Sequence, residues 1–89
     1  MKAIVTVVGE DRVGIIASVC TLLAKHNANI LDISQTILQG NFTMIMLVDT
    51  VACTLAFTDL ATELEQAGQE QNLSIRIQRE DIFNAMHRI

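Results

Sequence analysis

The chain has 89 residues and a mass of 9.8 kDa, room for one domain, and 51% of its residues are apolar, which excludes disorder. Net charge is −4, from 6 Lys and Arg against 10 Asp and Glu, with 3 Phe and no Trp or Tyr; nucleic acid is not expected as a partner, since it wants clustered cations and stacking aromatics. No apolar run approaches the ~20 residues of a transmembrane helix, two cysteines make no disulfide framework, and the N-terminus carries no leader pattern, so a cytoplasmic protein with reduced thiols and no membrane partner is expected.

Residues 3–8 are apolar and rich in β-branched side chains, which predicts a buried strand. Gly9-Glu10-Asp11 reads as its break, with Gly9 as a turn residue of unusual φ. Asp11 suits a helix N-cap, and a helical pattern follows to about His26. Gly14, Ser18, Thr21 and Lys25 fall on one narrow polar stripe. Val13, Ile15, Ile16, Ala17, Val19, Cys20, Leu22, Leu23 and Ala24 fill the rest. That apolar arc is about twice as wide as the ~100° a surface helix needs. One side of it packs on a sheet, and the surplus needs a second cover from this chain or a partner.

Asn27-Ala28-Asn29 ends the helix, and Ile30 to Gln39 reads as a second strand. Gly40-Asn41 marks a hairpin into the nearly all-apolar strand Phe42 to Val48. Asp49 to Thr54 is a connection. The helical stripe Phe57, Leu60, Ala61, Leu64, Ala67 and Gly68 predicts a one-sided helix over roughly 55–71. Residues 73–79 alternate strictly, with Ser74, Arg76 and Gln78 outward, as in a strand near a sheet edge. A short helix over about 81–89 closes the chain, with Ile82, Phe83, Met86 and Ile89 on one face.

This order makes a single α+β domain over residues 1–89, with its core in 1–79. The expected fold is a ferredoxin-like βαββαβ sandwich. Its four-stranded antiparallel sheet runs in the order 4-1-3-2, with two helices on one face. Strand 3 is apolar at both parities, Met44 and Met46 on one side and Ile45 and Leu47 on the other. Part of the second face therefore needs hiding, by the terminal helix or by a second subunit.

The run Gly9-Glu10-Asp11-Arg12-Val13-Gly14-Ile15-Ile16, with Asn29-Ile30 opening the next strand, resembles the ACT domain. That family's signature is Gly-x-Asp-Arg/Lys-x-Gly-Ile/Leu between strand 1 and helix 1, with Asn-Ile at strand 2. The match spans residues 1–79. The ending from Ile82 to Ile89 is similar to that of small stand-alone ACT proteins, which are themselves similar to the ACT modules of the glycine cleavage system repressor and formyltetrahydrofolate deformylase. The resemblance implies a regulatory homodimer or higher homo-oligomer that binds a small molecule, an amino acid such as glycine or serine, at a seam between subunits. It places ligand contacts at Gly9, Asp11, Arg12, Val13, Gly14, Ile15 and Asn29. The chemistry agrees: free N–H groups at a helix start suit a carboxylate, Asp11 suits an ammonium group, Asn29 offers a donor and an acceptor, and Gly14 leaves the backbone open.

Each of these residues also has a plainer reading. Asp11 caps the helix, Arg12 is solvated or pairs with Asp11 or Glu10, Gly14 allows close helix packing, and Asn29 closes a turn. His26 and His87 lack neighbours at metal-ligand spacing, Cys20 reads as core and Cys53 as a loop thiol, so neither metal nor cofactor is expected. Glu63 and Glu65 read as solvated. No nucleophile elbow, Cys–His pair or P-loop is present, so an enzyme is not expected. The competing reading is a ligand-free oligomerisation or interaction module that regulates a protein partner.

Overall fold

Seven elements follow in the order β1 (Lys2–Glu10), α1 (Ile15–Lys25), β2 (Asn29–Leu38), β3 (Asn41–Asp49), α2 (Phe57–Glu70), β4 (Leu73–Arg79) and α3 (Glu80–Met86). The computed structural model describes residues 1–86, with side chains through residue 84. The expectations for the Met86 side chain, His87 and Ile89 lie outside the described residues. The strands form one antiparallel sheet, β2-β3-β1-β4. This is the expected 4-1-3-2 order, and the ferredoxin-like fold holds.

Strand alternation divides the sheet into two faces. Ala3, Val5 and Val7 of β1, Phe42, Met44, Met46 and Val48 of β3, and Leu73 and Ile75 of β4 are buried in one core cluster. Ile15, Val19 and Leu23 of α1 and Leu60 and Leu64 of α2 close that cluster. The spacing of four puts each helical set on one stripe. Burial of each Leu contributes about 1.5–3 kcal/mol. On the opposite face Ile4, Thr6 and Leu47 are half-buried, while Val8 and Ile45 are exposed. The short α3 runs beside β1 and β4.

Several local expectations are corrected. β1 does not break at Gly9: it continues to Glu10, with Gly9 paired to both Phe42 and Leu73 and outside the left-handed region. Asp11 is not the N-cap, because α1 starts four residues later with Gly14 as N-cap at φ 94°. The turn descends through a left-handed residue, which glycine adopts at no steric cost. A Cβ at Gly14 would meet nothing within 4 Å, so the residue does not serve close packing. The hairpin turns on Gln39 (φ 52°) and Gly40 (φ 81°), one residue earlier than expected, and Leu38 pairs with Asn41. Two central residues of positive φ match the right-handed twist of the flanking strands. Leu22 packs against the core, while Val13 and Ile16 are exposed; the uncovered part of α1 is therefore smaller than the sequence suggests.

Candidate functional site

The order of the sheet decides what surrounds the β1–α1 turn, residues 11–14. β1 is flanked by β3 on one side and β4 on the other. Its last residue, Glu10, pairs with Asn41 at the β2–β3 hairpin, and Gly9 pairs with Leu73 at the start of β4. The turn therefore leaves the sheet between the hairpin tip and the α2–β4 turn. The Asp11 N–H donates to the Gly40 carbonyl at 2.8 Å on the hairpin side. On the other side the Arg12 Nη2 donates to the Gln71 carbonyl at 2.6 Å and lies 3.4 Å from Gln71 Oε1. Gln71 in turn donates through Nε2 to Ser18 Oγ at 2.9 Å and to the Ala67 carbonyl at 3.2 Å. Arg12 remains exposed and pairs with neither Asp11 nor Glu10. It ties the turn to the C-terminal end of α2, where a cation meets carbonyls left open by the helix.

A cavity of about 270 Å³ opens on this flank, lined by Glu10, Asp11, Arg12, Gln71 and Asn72. The carboxylates of Glu10 and Asp11 have no partner among the described residues. Val13 and Gly14 point into open solvent, whereas the Ile15 side chain is in the core. Only the backbone of residue 15 is available to a ligand. Gln71 and Asn72 escaped the sequence reading. The signal that finds them is topological: β4 beside β1 brings the turn before β4 next to the turn after β1.

Asn29 stands apart from this group. It pairs with Asp49, which pairs with Lys2, at the opposite end of the sheet. Nine strand positions separate it from Leu38, about 30 Å at ~3.3 Å per residue. The strand between them is an edge, and every residue of β2 except Ile30 is exposed. Leu31, Ile33, Ile37 and Leu38 are among the exposed large apolar residues.

A second cavity, about 570 Å³, lies between α2 and the other edge strand, β4, with Ala61, Glu65 and Gln69 on one wall and Ser74, Arg76 and Gln78 on the other. It contains none of the turn residues. His26 is buried and its Nε2 meets Glu63 Oε2, joining the end of α1 to α2, while the Glu63 side chain stays 42% exposed. Cys53 is packed against the core rather than free in its loop, and partial burial raises the Cys20 thiol pKa above its ordinary value. Among the described residues no three His, Cys, Asp or Glu side chains gather closely enough to hold a metal, and no helix is long and apolar enough to cross a membrane.

Known proteins match most or all of the chain. A UPF0237 protein of Clostridium acetobutylicum is 54% identical over 89 residues, covering all of both chains. An ACT domain protein from Streptococcus pneumoniae superposes with a TM-score of 0.82 at 47% identity, over 93% of each chain. A formyltetrahydrofolate deformylase from Pseudomonas syringae matches 88% of this chain with 27% of its own, at a TM-score of 0.80 and 25% identity. A protein described as a glycine cleavage system transcriptional repressor matches 86% of this chain with 44% of its own, at a TM-score of 0.74 and 28% identity. The ACT domain family model spans residues 2–78, which takes in all four strands nearly to the end of β4, both long helices and the turn between β1 and α1: the chain belongs to the ACT domain family.

Proposed function

We infer that this protein is a regulatory amino-acid sensor that works as a homo-oligomer, with its ligand at the β1–α1 turn and the partner copy completing the site. One observation carries this reading. The turn holds unpartnered carboxylates beside a cavity, while Asn29 lies about 30 Å away on an exposed edge strand. Antiparallel pairing of β2 with a second β2 would reverse that separation. It would set the partner copy's Asn29 end beside Leu38–Gly40, and Gly40 is already bonded to Asp11. An exposed apolar edge strand calls for such cover. The exposed start of α1 offers N–H groups on the other side of the same turn. No part of this arrangement needs a cofactor or a catalytic step, and a cytoplasmic setting suits the two unpaired thiols.

Likeness to a glycine cleavage repressor makes glycine the first ligand to try, then serine. The test is a thermal melt by dye fluorescence against the twenty amino acids. A ligand at 100 times its Kd adds about 2.7 kcal/mol, a shift of about 10 °C or more in a domain this small. A selective shift that disappears in Asp11→Ala and in Asn29→Ala supports the sensor. A flat panel from a stable oligomer favours the second reading, a ligand-free interaction module, for which the same apolar β2 edge speaks.

A further inference from the structure

β4 pairs with β1 on one side and, among the described residues, with no strand on the other. The alternation of an antiparallel ladder decides which of its backbone groups face that open side. In and beside β1, the Met1 carbonyl accepts from the Thr50 N–H and the Asp11 N–H donates to the Gly40 carbonyl, both toward β3. Odd-numbered residues of β1 therefore bond to β3 and even-numbered ones to β4. Ile4, Thr6 and Val8 pair with Gln78, Arg76 and Ser74, so these three residues of β4 turn their N–H and C=O groups inward. Leu73, Ile75 and Ile77 turn theirs outward, and among the described residues none of the three has a backbone bond to a turn, loop or helix. This outward row opens into the cavity of about 570 Å³. The facing wall is the stripe Ala61, Glu65 and Gln69, set on one side of α2 by its spacing of four.

An outward backbone row beside a helix wall is the geometry that takes up an extended peptide as an added strand. Nothing blunts β4 against this. Its ladder with β1 runs from the Ala3–Arg79 pair to the Gly9–Leu73 pair without a bulge, and the chain has no proline. The ladder of β2, by contrast, is interrupted between Ile30 and Asp32. Charge decides the occupant. Arg76 and Glu65 both line the groove, both are exposed, and neither has an ion-pair partner among the described residues. The β4 strand of a second copy would bring Arg76 and Arg79 and no acid, so it offers no counter-charge to Arg76.

We propose that the α2–β4 groove docks an extended segment of a protein partner, added beside β4 as a further strand, with an acidic residue next to Arg76 and a basic residue next to Glu65. Arg76 pairs with Thr6 on the sheet face away from the helices, whereas Glu65 belongs to the helix layer. Successive residues of a strand point to opposite faces, so the two charges stand side by side in the partner's sequence. Backbone bonds to Ile75 and Ile77 supply affinity, and the charge pair supplies selectivity. The surface lies on the opposite edge from the β2 seam. It goes beyond the amino-acid reading and stands whether or not a ligand binds at the β1–α1 turn.

The experiment is amide exchange by NMR on the isotope-labelled full chain, alone and with the blocked peptide acetyl-TVTEKVT-amide. In the free protein the amides of Ile75 and Ile77 are expected to exchange about tenfold or more faster than those of Arg76 and Gln78, because open backbone groups are not protected. The peptide is expected to slow Ile75 and Ile77 to the rates of their neighbours and to leave Ile33 and Ile37 of β2 unmoved. The same peptide N-methylated at its adjacent Glu and Lys has donors blocked on both of its edges, and is expected not to bind. The neutral peptide acetyl-TVTQQVT-amide should bind about twofold to fivefold more weakly, the effect of losing an exposed ion pair. Arg76→Ala and Glu65→Ala should each weaken the charged peptide by a similar factor. Slow exchange of Ile75 and Ile77 in the free protein overturns the proposal, since the edge is then already closed by this chain or a second copy. Protection at β2 instead of β4, no protection at millimolar peptide, or equal affinity for the neutral peptide overturns it as well. A flat panel of amino acids bears on the sensor alone, and a failed peptide bears on this groove alone.

Discussion

Gly9 and Gly14 stand five positions apart and are glycine for opposite reasons. Gly14 needs its backbone angle, since its φ of 94° is in the left-handed region and its surroundings are empty. Gly9 has ordinary strand geometry and needs its missing side chain: a Cβ there would collide with Leu73 Cδ2 and sit 3.3 Å from the Asn72 carbonyl oxygen. Gly9→Ala is therefore expected to lower stability by about 1–3 kcal/mol, the usual range for overpacking. Gly14→Ala should cost about 1–2 kcal/mol from backbone strain alone. Urea unfolding followed by far-UV circular dichroism measures both, because the chain has no Trp or Tyr to report by fluorescence. The two diverge in remedy: Gly14→Asn should recover part of the loss, as Asn tolerates positive φ, while Gly9→Asn should be worse than Gly9→Ala. Gly9 reads as a turn residue because a Gly-Glu-Asp run after an apolar strand is a turn signal, and Gly14 reads as part of the helix's polar stripe. What makes Gly9 part of the strand is the approach of Leu73, 64 positions on, and no local pattern encodes that.

At the scale of elements, periodicity carried the reading. Strict alternation over residues 73–79 and the four-residue spacing of Leu60 and Leu64 located β4 and α2, because burial on one face leaves a period in the chain. The ends were missed where polar residues extend a ladder. Lys2, Asn29 and Asn41 all pair in the sheet although none is apolar. Backbone hydrogen bonds do not select for side-chain polarity, so hydrophobic patterning marks a strand's middle better than its tips. The β2–β3 hairpin shows the same limit and offers a correction. Gln39 carries φ 52° in a two-residue turn whose favoured sequence is Asn-Gly. Gln39→Asn is expected to raise stability by about 0.5 kcal/mol, within the ~1 kcal/mol span of such backbone effects. A rise in the urea midpoint with an unchanged slope would show it. A fall would mean that the Gln39 side chain has a role beyond the turn.

The molecule as a whole leaves one edge uncovered in a way its other edge is not. β4 presents Ser74 and Arg76 to solvent and has α2 lying along it. β2 presents Leu31, Ile33, Ile37 and Leu38. Ile33 and Ile37 pair with Met46 and Phe42, both buried under the helices, so they face the same side of the sheet but lie beyond the helices' cover. Their exposures of 42% and 55% leave room for a charge in the monomer. The double substitution Ile33→Lys with Ile37→Lys should therefore keep the far-UV spectrum and break the oligomer, as charged residues on an edge do. Sedimentation velocity would show a shift to one 9.8 kDa species. The same variant separates the two halves of the proposed site. On the proposed reading Asn29 acts only through a partner, so its contribution to ligand affinity should vanish with the oligomer. On the same reading Asp11 and Arg12 belong to one chain, so their share should survive in the monomer as weaker but measurable binding. An intact oligomer in the double variant would move the seam away from β2 and remove the ground for Asn29 as a ligand contact.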